Sequence, residues 1–168
     1  MKTLYIVRHA KSSWDFAELP DVERPLTEKG IYNTKKILAE LNNENISLDM
    51  LICSHAKRAF ETAKLFASGF NYPVENIVIS KGIYQVDRDD IFNVIFGVKD
   101  DIDSLMIVGH NPTLTQFSNL FLEEKIDLFP TSGIISINFE ADSWNDIIKA
   151  PHKINFTIFA HHSHMNII

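Results

Sequence analysis

Two short apolar runs each close on a histidine: Leu4-Tyr5-Ile6-Val7 leads into Arg8-His9, and Leu105-Met106-Ile107-Val108 leads into Gly109-His110. In an open α/β sheet the ligand crevice lies at the carboxyl ends of the strands, so both histidines are expected at one site. The chemistry that suits them is phosphoryl transfer. A phosphoryl group spreads charge over three outer oxygens, and its transfer needs in-line positioning with several fixed positive or hydrogen-bonding groups. Arg8 and Arg58 can each grip those oxygens with a forked guanidinium. A neutral imidazole that donates one N–H to a backbone carbonyl presents its other nitrogen as a nucleophile, and His9 is placed for that role. His110 would face it and donate to a phosphoryl oxygen. Taken alone, His9 would read as a satisfied buried histidine. Arg8 beside it and His110 at the matching strand end favour the site.

The elements that must position these residues are legible in outline. Leu4–Val7, Met50–Cys53, Val78–Ser80 and Leu105–Val108 are rich in branched residues and read as buried parallel-type strands. Gly133–Phe139 and Ile154–Phe159 alternate and read as strands nearer an edge. Between them, Thr27 can cap a helix with Ile31, Ile37, Leu38 and Leu41 on one face. Ser54 can cap a second, whose Ala56, Ala59, Phe60, Ala63, Phe66, Ala67 and Phe70 follow helical spacing. Arg58 falls off that stripe, where it can aim at the sheet's carboxyl edge. Asn111-Pro112 opens a further helix with Leu114, Phe117, Leu120 and Phe121 as its buried face. Interleaved strands and helices define an α/β protein with a mostly parallel central sheet and helices on both faces. No linker or repeat divides the chain, so one domain over 1–168 is expected.

Composition narrows the class. A chain of 168 residues with 45% hydrophobic content can bury a full core. The net charge of -6 argues against a nucleic-acid partner, and the lone Cys53 against a disulfide framework; in its apolar run, Cys53 reads as a small buried hydrophobe. No stretch approaches the ~18 apolar residues of a membrane span, so a cytoplasmic protein without a membrane partner is expected. An anion site in so acidic a chain must rest on locally concentrated arginines and amides.

The motif residues also carry a family resemblance that covers most of the chain. Arg8-His9-Ala10, Leu26-Thr27-Glu28-Lys29-Gly30, Ser54-His55-Ala56-Lys57-Arg58-Ala59-Phe60-Glu61-Thr62-Ala63 and Gly109-His110-Asn111-Pro112 resemble, in order, four elements of the histidine phosphatase (phosphoglycerate mutase-like) superfamily. The short length and the Arg-Pro-Leu-Thr and Gly-His-Asn-Pro forms are similar to its small SixA-like phosphohistidine phosphatases. The resemblance implies the phosphoglycerate mutase-like fold and a metal-independent phosphatase that needs no cofactor, with His9 phosphorylated during turnover. It implies as substrate either a phosphorylated histidine-containing phosphotransfer protein or, alternatively, a small phosphate ester. A catalytically silent phosphate-binding module is the remaining alternative.

Departures from the family pattern bear on individual contacts. Ala10 stands where the family has glycine, and His55 where it has proline. Ser12 and Asp15 align with a Thr-x-x-Asn loop, and a carboxylate beside a phosphate is repulsive unless it is protonated or turned away. Ser12, Arg24 and Asn111 are candidate substrate contacts; for Arg24 a plain surface cation is the competing reading. Many relatives protonate the leaving oxygen with a carboxylic acid. Asp87 is the candidate here, although it lies in an acidic stretch with Asp89 and Asp90 that reads equally as a solvated face. A phosphohistidine substrate needs such an acid less, because its leaving imidazole has a pKa of ~6.5. His161, His162 and His164 read as a tail rather than a metal cluster, their spacing matching no firm zinc pattern.

Overall fold

A computed structural model of the chain describes residues 1–42 and 46–159. Its strands form one six-stranded sheet: β1 (Lys2–Arg8), β2 (Met50–Ser54), β3 (Val78–Ser80), β4 (Ser104–Gly109), β5 (Ile134–Phe139) and β6 (His152–Ile158), in spatial order β3-β2-β4-β1-β5-β6. β3, β2, β4 and β1 run parallel, whereas β5 and β6 extend the β1 side antiparallel. The sheet is thus parallel where the motif strands lie and antiparallel at the edge that the alternating segments predict. The histidine tail lies outside the described residues.

Strand side chains alternate between the two faces, and each face has its own core. Leu4, Ile6, Ile52, Leu105 and Ile107 pack with Ile91, Phe92 and Ile95 of α3 (Arg88–Phe96) and with Leu114 and Phe117 of α4 (Thr113–Ser118). Tyr5, Val7, Leu51, Cys53, Met106 and Val108 pack on the other face with Ile37 and Leu41 of α1 (Glu28–Leu41) and the Ala59, Ala63, Phe66, Ala67 stripe of α2 (Lys57–Gly69). Both faces are covered, which explains the unbroken apolar runs of β1 and β4.

Three details differ from the sequence expectation. Ser54 ends β2 instead of capping α2; its Oγ accepts the Ala56 N–H at 3.2 Å, and α2 starts at Lys57, so Arg58 lies in the first turn. Leu120 is exposed, because α4 stops at Ser118 before the next turn could bring it to the core. The helix α3 was not anticipated. Asp87 caps it: its Oδ1 accepts from the Asp89 and Asp90 amides, while Asp90 returns a bond to the Asp87 N–H. This reciprocal capping box satisfies donors that the first turn leaves orphaned.

Candidate active site

The register of β1 on β4 pairs Arg8 with Gly109, and the His9 N–H donates to the Gly109 carbonyl at 3.1 Å. Their following histidines therefore stand side by side, ring centroids 5.1 Å apart. Arg8, His9, Ser12, Arg24, Arg58 and His110 line one cleft of about 290 Å³, which Lys11, Trp14, Asn111 and Thr131 complete. Asp87 and Asp15 are both exposed and do not line it.

His9, Arg8 and Arg58 are each held by part of the side chain, whereas the His110 ring has no hydrogen bond among the described residues. His9 Nδ1 is 2.7 Å from the Ala10 carbonyl; as the N–H tautomer it donates there and leaves Nε2 with its lone pair. Arg8 Nη1 donates to the Phe129 carbonyl at 2.9 Å. Arg58 gives Nη1 to the Asp21 carbonyl at 2.7 Å and Nη2 to Asp21 Oδ2 at 2.9 Å. Arg8 Nε, Arg58 Nε and both ring nitrogens of His110 are buried with no partner among the described residues. A buried donor without a partner costs about 1–3 kcal/mol, a cost that an acceptor bound in the cleft would offset.

The scaffold below explains the spacing of the motifs. Thr62 Oγ1 accepts the Ala10 N–H at 2.9 Å and donates to the Arg58 carbonyl at 2.7 Å, tying the end of β1 to the first turn of α2. The Thr27 amide donates to the Lys11 carbonyl at 2.9 Å, and Thr27 Oγ1 accepts from the Gly30 N–H at 2.9 Å. A Cβ on Gly30 would sit against the Lys11 backbone, 2.9 Å from its nitrogen. Only glycine lets α1 begin this close to the loop after His9.

Asp21 and Tyr84 were not singled out from sequence. Asp21 Oδ1 accepts from Arg24 Nε at 3.1 Å, and its Oδ2 accepts from Arg58 and, at 2.5 Å, from the Tyr84 hydroxyl. The Tyr84 ring meets His110 edge-on at 5.4 Å. Arg24 is 7% exposed, which replaces the surface-cation reading: its Nη1 reaches Ser12 Oγ at 2.7 Å and the Ser13 carbonyl at 3.2 Å. Asn111 has its amide committed within the protein, Nδ2 to the Phe129 carbonyl at 2.7 Å and Oδ1 to Thr115. It therefore braces the carbonyl that also receives Arg8.

Burial is the main cause holding His9 down to a pKa of about 3; the hydrogen bond to Ala10 opposes it, and His110, Arg8 and Arg58 add to it. His110 is likewise lowered to about 3, first by burial and then by Arg58. Both rings are neutral near pH 7. For Asp21, burial works to raise the carboxyl, but hydrogen bonds from Tyr84, Arg58 and Arg24 outweigh it and hold it at about 2. It is thus ionised near neutrality. Among the described residues, no group of three or more His, Cys, Asp or Glu is placed to hold a metal ion.

Residues 4–78, which carry Arg8-His9, Leu26-Thr27 with Gly30, and Arg58, match the model of the histidine phosphatase superfamily (branch 1). Over that segment the chain is similar to the histidine phosphatase superfamily, and its architecture is the phosphoglycerate mutase-like fold. The solved structures it resembles are matched over nearly their whole length. The protein histidine phosphatase SixA complexed with tungstate superposes with a TM-score of 0.76 at 19% identity, covering 95% of this chain and 97% of that one. A candidate phosphohistidine phosphatase SixA from Nakamurella multipartitia gives 0.79 at 21% identity, covering 94% and 95%. In sequence, the uncharacterized protein ML1117 of Mycobacterium leprae is 29% identical over 153 residues, covering 84% of this chain and 91% of that protein.

Proposed function

We propose that the chain is a metal-independent phosphatase that works through a phosphohistidine on His9 and removes phosphate from phosphohistidine on a phosphotransfer protein. The observation that carries this reading is the set of buried polar groups without partners among the described residues, Arg8 Nε, Arg58 Nε and the His110 ring, around a cleft that His9 also lines. In the first step His9 Nε2 attacks phosphorus in line, the bond from phosphorus to the substrate imidazole breaks, and the departing imidazole takes a proton from solvent. The arginines and His110 hold the three outer oxygens. Water then attacks phospho-His9, releasing phosphate and restoring the neutral imidazole.

Phosphohistidine is favoured over an ester by the cleft itself. None of its lining residues carries a carboxyl group, Asp87 is occupied as a helix cap, and Asp21 is held too acidic to serve as a proton donor near neutrality. An alkoxide leaving group needs such an acid; an imidazole with a pKa of ~6.5 does not. Relatives in fold that carry the name phosphohistidine phosphatase SixA support the same choice. The test compares kcat/KM on a phosphorylated histidine-containing phosphotransfer domain with a panel of sugar and nucleoside phosphates. Preference for the phosphoprotein, abolished in His9→Ala, is the expected result. Preference for an ester would assign the site to small metabolites, and tight phosphate binding without turnover would make it a silent binding module.

A further inference from the structure

We propose that Trp14 is a specificity residue: its indole is the platform on which the planar imidazole of the leaving group stacks while the phosphoryl group sits between Arg8, Arg58 and His110. This rests on the phosphatase reading above and says what selects among its substrates. Trp14 lines the cleft together with His9, yet 76% of its surface is exposed. Beyond its contact with Arg24, most of this large apolar side chain is left in water at a polar cleft.

The indole is nevertheless fixed. The Arg24 guanidinium lies 3.6 Å from its ring centroid, a cation–π contact on one face. Arg24 in turn is buried and anchored by Asp21, Ser12 and the Ser13 carbonyl. A flat ring held by a cation on one face and otherwise exposed is preorganised to receive another flat ring, with little rotamer freedom left to lose on binding. A phosphohistidine side chain presents such a ring directly bonded to the reacting phosphorus. An alkyl phosphate presents none. The positive guanidinium behind the indole also suits a site where the approaching group is an anion.

The test uses the full chain and two small phosphoramidates that share the bond to be broken: phosphoimidazole, with a ring leaving group, and phosphoramidate, which releases ammonia. Trp14→Ala is expected to lower kcat/KM for phosphoimidazole about three- to tenfold, the range an aromatic pair supplies, and to leave phosphoramidate within about twofold. Trp14→Phe should restore the ring preference. Equal loss on both substrates would show that Trp14 only supports Arg24, and no loss on either would show that it does nothing; each overturns the proposal. A wild-type protein active on the phosphorylated phosphotransfer domain but on neither small compound would overturn the Trp14 proposal, and one inactive on all three would overturn the phosphatase reading itself.

Discussion

Asp21 holds both outer nitrogens of Arg58, its carbonyl 2.7 Å from Nη1 and its carboxylate 2.9 Å from Nη2, which leaves Nε without a partner among the described residues. The same carboxylate takes Arg24 and Tyr84, so one acidic side chain orients two cations of the cleft. In the proposed mechanism its part is positional, because an ionised carboxylate beside a phosphate adds no attraction of its own. Misplacement of an oxyanion ligand by about 1 Å can cost on the order of a hundredfold. Asp21→Ala is therefore expected to lower kcat/KM by about ten- to a hundredfold, with Asp21→Asn intermediate because its amide oxygen can still accept from Arg58. Steady-state kinetics on folded variants, checked by circular dichroism, decide this. Wild-type kcat/KM in Asp21→Ala would remove Asp21 from the site.

The two neutral histidines have consequences for pH. In the native state His9 and His110 gain protons only near pH 3, whereas in an unfolded chain they do so near ~6.5. Between these values the unfolded chain binds more protons, so stability is lost as pH falls from 6.5 towards 3, by up to about 1.4 kcal/mol per pH unit for each histidine. Ring resonances of both residues, followed by NMR in the ligand-free protein, should show no titration between pH 5 and 8. A midpoint near 6.5 for His9 would contradict its burial as a neutral nucleophile.

Gly30 is the point where α1 touches the loop after His9. A methyl group there meets the Lys11 backbone, which cannot yield without moving Ala10–Ser13. Overpacking against backbone costs about 1–3 kcal/mol. Gly30→Ala is expected to lower the unfolding free energy by that amount, read as a lower urea midpoint at unchanged m, and to reduce kcat/KM as well, since the displaced loop carries Ser12 and the carbonyl that holds His9. An unchanged midpoint would mean that the loop relaxes freely.

Asp87 supplies a contrast. As the cap of α3, with two backbone amides on its carboxylate, it contributes to stability, and Asp87→Ala should cost about 0.5–2 kcal/mol. The turnover of phosphohistidine should stay at the wild-type level. A loss of kcat/KM beyond tenfold, restored by Asp87→Glu, would return Asp87 to the role of proton donor.

What could be read from the sequence depended on range. The strand-end histidines were legible because β1 and β4 are buried on both faces and so appear as unbroken apolar runs that stop at a polar residue. Thr27 was legible as a cap because its partner, Gly30, is three residues away. The place of Asp21 was not, because it meets Arg58 and Tyr84 across 37 and 63 residues, and such pairing leaves no local period. Arg24 was open to misreading for the same reason: base rates put a lone arginine on the surface, and its burial depends on Asp21, Ser12 and Trp14 together. Asp87 illustrates competition between two readings of one pattern. Asp-x-x-Asp before Ile91 and Ile95 is a helix-start signal, and the short α3 it opens satisfies the carboxylate locally.

The most direct measurement is of the covalent intermediate itself. The protein is mixed with a radiolabelled phosphohistidine-bearing phosphotransfer domain, quenched in alkali within the first turnover, and the label is mapped by peptide analysis. Acid-labile, alkali-stable phosphate on His9, absent from His9→Ala together with turnover, is the predicted result. Turnover that persists in His9→Ala, or label that accumulates on His110 instead, would contradict the assignment of His9 as the nucleophile.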